Sequence, residues 1–588
     1  MPGDAARAGG FSLRRDADSR PWLFALVIVA AVVAAYANSF LAPFHFDDQR
    51  AIVNNPYVRR ITSPLAALAD RNLGAMRPLA LCSFQWNFAA GGLNKAGYHA
   101  VNLAIHVLAA LTLFGIVRRT LLRSDVPPKY GRWAAPLAAA VALLWAVHPL
   151  QTESVTYIVQ RCESLAGMFY LLTLYCAIRS DGDDKAWLWQ CAAVVACACG
   201  VLTKEVAVTA PVAILAYDRI FLAIGWRELF ARRGLLYAGL FGTWGIMAAL
   251  LTSAPDISTW GGFSYDKTTP LQYALTQTEV ILHYLRLAFW PSGQCLDYAW
   301  PPVVKVGDAW VALAVIAALV AATIVALCFR PKWGFLGLWF FLVLAPTSSI
   351  LPIEDTAVEH RMYLPLAAVV CGSVFVTYEV SVRTASAVGL PRAAARMVMS
   401  LGLLLVAWAL AIATARRNYD WRSPGAIWAS AVAQSPHNPR AHFNLAAAAW
   451  KAGDYDSAAR HATETLRLDS DFAEAHNLRA GLYANEGRLD DAAEAARAAI
   501  KINPNLALAH TVLGKILAQQ EQWDQAVSHL ERALALNWMD VQARASLAFC
   551  LAKQQKTDAA RRQIEIVLKI RPDDPQARRI WLLLNRSR

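Results

Sequence analysis

Asp47 and Asp48 stand side by side in Phe44-His45-Phe46-Asp47-Asp48-Gln49-Arg50, a few residues past an uncharged apolar run at 22–37. An acidic pair just beyond a membrane helix sits at the water–membrane boundary, where charge is costly. Acid/base chemistry on a lipid-borne substrate needs carboxylates at that depth, whereas capping or solvating a loop needs only a polar side chain. Other ionisable groups interrupt the apolar sequence in the same way: His148 and Glu153 with Gln160 and Arg161, then Lys204 and Glu205, then Glu354, Glu359, His360, Arg361 and Tyr363. Such groups gathered on one side of a membrane form a default site hypothesis. His99, Asn102 and His106 share one helical face and read instead as a polar seam between helices, outside any catalytic set.

The elements that must position these residues are membrane helices. Of 588 residues, 57% are hydrophobic and only 17% charged, and the mean hydropathy is +0.33, values of an integral membrane protein. The formal charge of +13 falls in short basic clusters between apolar segments, where it reports topology; no nucleic-acid motif accompanies it. Most of the ten cysteines lie in or beside apolar segments with no paired CxxC array, so they read as small core residues.

Arg14, Arg15 and Arg20 precede the first apolar run as in a signal peptide, but no small-residue cleavage site follows. The run therefore reads as an uncleaved first span with a cytoplasmic N-terminal tail, 1–20. Further spans are expected near 99–117, 133–147, 164–178, 186–202, 206–222, 234–251, 309–329, 335–351, 362–377 and 398–415. The segment 276–291 carries Glu279, His283 and Arg286 and is taken as non-spanning. The alternation of basic clusters over about eleven spans places Asp47, Asp48 and the C-terminal region on the non-cytoplasmic side.

A linker with a first soluble helix, 417–438, leads into Ala-rich, charged sequence with a 34-residue period, 439–588. His442, His476 and His510 recur at that spacing, as do Ala458, Ala492, Ala526 and Ala560; Gly453 and Gly487 mark turns, and Pro504 and Pro572 close units. This is the tetratricopeptide (TPR) pattern: four repeats plus a capping helix, with a groove suited to peptides. The aligned histidines, one repeat apart, read as packing residues and not as a metal site.

The run His45 to Asn55, Arg77-Pro78-Leu79, Tyr98 to Leu103, His148-Pro149 through Val155, Thr203-Lys204-Glu205 and His360 to Pro365 resembles the transmembrane and TPR repeat-containing (TMTC) family of GT-C-type glycosyltransferases. The resemblance implies an all-α protein: a polytopic GT-C-like helical domain, 21–416, followed by a soluble TPR α-solenoid. It implies an inverting transfer of a mannose-like sugar from a polyprenyl phosphate carrier to Ser/Thr hydroxyls of extracytoplasmic proteins. The acceptor hydroxyl then needs a carboxylate base, with Asp48 the first choice and Asp47 the alternate or an orienting group. The departing phosphate needs cations, with Arg361, His360, Lys204 and Arg161 as candidates. His148, Glu153, Glu205, Tyr363 and Arg77 remain for sugar or acceptor binding or orientation. A divalent cation, Mg2+ or Mn2+, on Asp47 and Asp48 stays open, since no dedicated ligand spacing is present. The expected setting is a bacterial inner membrane with periplasmic repeats, or the topologically equivalent endoplasmic reticulum. Transfer to an envelope glycan or lipid, and a non-catalytic TPR scaffold, are the alternatives.

Overall fold

The computed structural model describes residues 20–63, 77–222, 225–253, 268–389 and 391–586; Arg14 and Arg15 lie outside them. The chain divides into two compact units, Met1–Ile427 and Trp428–Arg588. Among the described residues, regular structure is entirely helical.

In the first unit every apolar segment expected to span forms a helix, but the helices are unequal. Six are long and apolar enough to cross a membrane: Pro21–Leu41, Lys95–Leu121, Trp226–Thr252, Trp310–Phe329, Pro365–Ala387 and Ala393–Asp420. A seventh crossing results if Ala134–Ala146 and Pro149–Thr156, bent by 57°, form one broken span. By length and composition the described residues do not confirm the figure of about eleven. Ala186–Val201 and Pro331–Leu344 are short apolar helices. Arg161–Arg179 carries Arg161 and Glu163 in its first turn, and Ala210–Phe221 is preceded by a 3-10 turn, Glu205–Thr209. The amphipathic Pro270–Phe289 is not among the six; it starts at a capping box in which Thr269 and Gln272 satisfy each other's backbone N–H groups.

Small residues let the helices approach closely. Ala134, Ala138, Ala142 and Ala146 recur every four residues on one helix face, each fully buried, and pack with Trp145 and Tyr363 in one apolar core. A Cβ on Gly167 would lie 2.5 Å from the Tyr363 ring, so only hydrogen fits there.

The second unit contains four helix pairs, Pro439–Ala452 with Tyr455–Leu468, Ala473–Asn485 with Leu489–Ile502, Ala507–Gln519 with Trp523–Leu536 and Val541–Lys553 with Thr557–Ile570, then Pro575–Arg586. Ala458, Ala492, Ala526 and Ala560 are fully buried where the paired helices meet. The repeated histidines pin inter-repeat turns: Nε2 of His442, His476 and His510 donates to the carbonyl six residues earlier, at Pro436, Ser470 and Pro504. Arg544 and Arg578 do the same to Trp538 and Pro572.

The turn inside each repeat needs a left-handed residue. Gly453 and Gly487 supply it at φ +80° and +78°, but one and two repeats later Glu521 and Gln555 occupy it at +61° and +62°. A side chain there costs about 1–2 kcal/mol, partly offset in glycine by chain entropy. Glu521→Gly is therefore expected to stabilise the repeat unit by about 0.5–1 kcal/mol, measured by chemical denaturation; a neutral or destabilising result contradicts the strain.

Candidate functional site

The acidic pair occupies a short helical turn, Phe46–Asp48, that opens the loop after the first span. Phe46, immediately before it, holds φ +26°, a conformation that bulky residues adopt only when the surroundings impose it, and such strain clusters at functional sites. The surroundings are visible. His45 Nε2 donates to the Trp421 carbonyl at 2.6 Å, and Trp421 packs on His45 and Tyr157 with ring centroids 5.4 and 5.2 Å apart.

The two carboxylates are in opposite circumstances. Asp48 is fully buried; its Oδ2 accepts the His45 N–H at 2.8 Å and its Oδ1 the Val159 N–H at 2.7 Å. Burial pushes its pKa up to about 8, against the pull of those two N–H groups. Asp47 is exposed, and its own N–H donates to the Tyr157 hydroxyl at 2.8 Å. Both oxygens of Asp48, the first choice from sequence, thus hold backbone together, whereas Asp47, the alternate, faces solvent.

The segment 157–163 joins this loop to a second group of charges. Lys204 Nζ lies 2.5 Å from Glu163 Oε2, both side chains 5% exposed. Arg77 Nη2 stands 3.8 Å from Glu205 Oε2, both partly exposed, and its Nη1 donates to Cys162 Sγ at 3.3 Å. The Glu153 carboxylate accepts both the backbone N–H and the Nδ1 of His360, at 3.0 and 2.8 Å. Burial holds the His360 ring well below the ordinary histidine range, so it serves as a neutral donor to Glu153. Arg361 donates to the Thr356 carbonyl at 2.9 Å and to the Asp355 carbonyl, with the Tyr273 hydroxyl at 3.4 Å; these acceptors are neutral, and the nearby Asp355 carboxylate favours its charged form.

Three residues expected in the site serve the scaffold instead. Arg161 is fully buried and spreads its N–H groups over Asn102 Oδ1 (2.6 Å), Asn87 Oδ1 (2.6 Å), the Ser83 carbonyl (3.2 Å) and the Tyr98 carbonyl (3.0 Å). It has little left for a phosphate. His148 uses both ring nitrogens, Nε2 on the Ala288 carbonyl at 3.1 Å and Nδ1 accepting the Leu150 N–H at 3.2 Å, as a cap for Pro149–Gln151. Tyr363 is fully buried in the core, with its hydroxyl on His106 Nδ1 at 3.0 Å.

Other residues belong to the site that sequence reasoning left out of it. Glu163 neutralises Lys204; in sequence it is merely an acid in a helix's first turn. Glu359, mentioned only as one of a charged run, is buried, and its carboxylate accepts from Gln294 Nε2, the Cys295 N–H and the Tyr298 hydroxyl at 2.6, 2.7 and 2.7 Å. Burial raises its pKa, with Arg417 pulling the other way. Arg417 ends the last span, and its place past an apolar run on the side of the acidic loop was the available signal. Among the described residues no group of three or more His, Cys, Asp or Glu is placed to hold a metal ion.

The chain resembles known proteins in both its membrane part and its repeats. Tetratricopeptide repeat models match residues 425–459, 443–507 and 517–580. The "Protein O-mannosyl-transferase TMTC4" of Mus musculus is 26% identical over 486 residues, 72% of this chain and 64% of the relative. A "Protein O-mannosyl-transferase" of Caenorhabditis elegans is 22% identical over 76% of this chain and 63% of its own. The chain is a homologue of the TMTC proteins. Drosophila melanogaster "Tmtc2" is 35% identical over a shorter stretch, 31% of this chain and 20% of the relative. The chain spans slightly under two thirds of the length of the mouse and nematode relatives. A solved structure of the TPR protein YrrB is 22% identical over 27% of this chain and 82% of its own, with TM-score 0.24.

Proposed function

We propose that this protein transfers mannose from a polyprenyl phosphate carrier to Ser/Thr hydroxyls of proteins, with inversion at the anomeric carbon. The bond from the acceptor oxygen to the anomeric carbon forms as the bond to the carrier phosphate breaks; the hydroxyl proton passes to Asp47 and the lipid phosphate leaves. The observation that carries this reading is the division of labour in the acidic loop, an exposed Asp47 held by Tyr157 beside a buried Asp48 that fixes the backbone on both sides. A carboxylate so positioned is the base that a hydroxyl nucleophile requires. The printed names of the relatives support mannose and a protein acceptor, and the repeats support recruitment of an extended peptide.

In this reading Arg361 and Arg77 supply positive charge to the departing phosphate, and Glu153 fixes His360 to orient the sugar or the phosphate. Lys204, already neutralised by Glu163, acts through the shape of the loop. The acidic loop faces away from the cytoplasm, into the periplasm in a bacterial envelope, as the alternation of basic clusters supports.

The test is the purified full chain in nanodiscs with radiolabelled polyprenyl-phosphate mannose and a Ser/Thr-rich peptide. Label on the peptide, released by β-elimination, is the expected result; label on a glycan or lipid alone overturns the protein acceptor, and no transfer to any acceptor overturns the enzyme.

A further inference from the structure

A cavity of about 800 Å³ opens at the other end of the helix that braces the acidic loop. In Lys95–Leu121, His99 bonds the Ala42 carbonyl near the loop, whereas Thr120, at the cavity, bonds the Tyr217 hydroxyl at 2.7 Å. At 1.5 Å per residue these points are about 32 Å apart, a membrane's apolar thickness. The cavity is therefore separate from the site described above.

Its interior is apolar and aromatic. Phe221 stacks on Tyr217 with centroids 4.5 Å apart, and Phe335 meets both edge-on at 5.5 and 5.7 Å. Ile116, Leu174 and Phe375 complete the wall. The Tyr217 and Tyr130 hydroxyls in the lining are already bonded, to Thr120 and to Glu379, so a hydrocarbon chain entering strands neither.

The rim is cationic. Lys129, Arg330, Lys332 and Arg383 line it together with Asp125 and Glu379. Lys332 pairs with Asp125 at 2.8 Å and Lys129 with Glu379. Arg330 and Arg383 are both exposed, and Arg383 also acts on Glu379 through space. Four cations against two carboxylates give the rim a net positive charge where the candidate spans Lys95–Leu121 and Trp310–Phe329 end, the depth of lipid phosphates.

We propose that this cavity binds an anionic phospholipid, its phosphate between Arg330 and Arg383 and an acyl chain along Phe221, Phe335 and Phe375. A free anion would not need the aromatic interior, and an uncharged lipid would not need the rim. The test uses the purified full chain in uncharged detergent, with retained lipid measured by native mass spectrometry. Phosphatidylglycerol is expected to bind at least about tenfold more tightly than phosphatidylcholine. R330E/R383E is expected to abolish that preference while leaving phosphatidylcholine unchanged, and Cys371→Trp, which fills the wall, to weaken both lipids. Equal retention of the two lipids by the native chain overturns the proposal, as does unchanged phosphatidylglycerol retention in either variant. Displacement of phosphatidylglycerol by equimolar inorganic phosphate also overturns it, by reducing the site to an anion site.

Discussion

Replacing Asp47 with Asn is expected to reduce mannosyl transfer at least about a hundredfold, the usual contribution of a positioned general base, with little change in thermal unfolding. The side chain is exposed, and an amide of the same shape stays solvated and keeps an oxygen where the carboxylate had one, so the fold is expected to respond little. Asp48→Asn is expected to behave differently. Its oxygens face two backbone N–H groups, at His45 and Val159; an amide can present an oxygen to only one, leaving two donors opposed at a cost of about 1–3 kcal/mol. Activity then falls through a displaced loop, accompanied by a lower melting temperature. Measured side by side, the two variants separate chemistry from support: unaltered turnover in a folded Asp47→Asn protein removes that carboxylate from the mechanism.

The second large effect is expected at Arg161. Arg161→Met removes the donor shared by Asn102, Asn87, Ser83 and Tyr98, leaving the Asn102 and Asn87 side-chain oxygens without it, at about 2–3 kcal/mol in total. Arg161→Lys should rescue only part, because an ammonium cannot reproduce the planar fork that reaches acceptors in several directions. Thermal unfolding in detergent reads the loss. A variant of normal stability with a raised KM for the lipid-linked sugar would instead return Arg161 to the phosphate.

Much of this architecture is legible in sequence because it is periodic. The helical class follows from uncharged runs such as 22–37, and the repeat register from His442, His476 and His510, whose equivalent bonds to carbonyls six residues back explain why the spacing is kept. The site is legible at coarser grain. Charge at a membrane boundary drew attention to Arg161, His148 and Tyr363 for the same reason as to Asp47. The distinction between them lies in bonding that no spacing records: Arg161 meets helices and loops distant in sequence, and Asp48 reaches Val159 across more than a hundred residues.

The bent segment after Ala146 has a further consequence. Its carbonyls and amides are satisfied from outside by side chains of other elements: Thr414 on Val147, Gln294 on Pro149, Asn102 on Val155 and Ile158, and Asp48 on Val159. Irregular backbone at membrane depth survives only when so served. Substitutions among these residues will therefore not be additive, because all of them hold one continuous stretch of backbone, 147–159. A library built to change acceptor choice must vary them as a set, or leave them fixed and diversify the exposed face around Asp47.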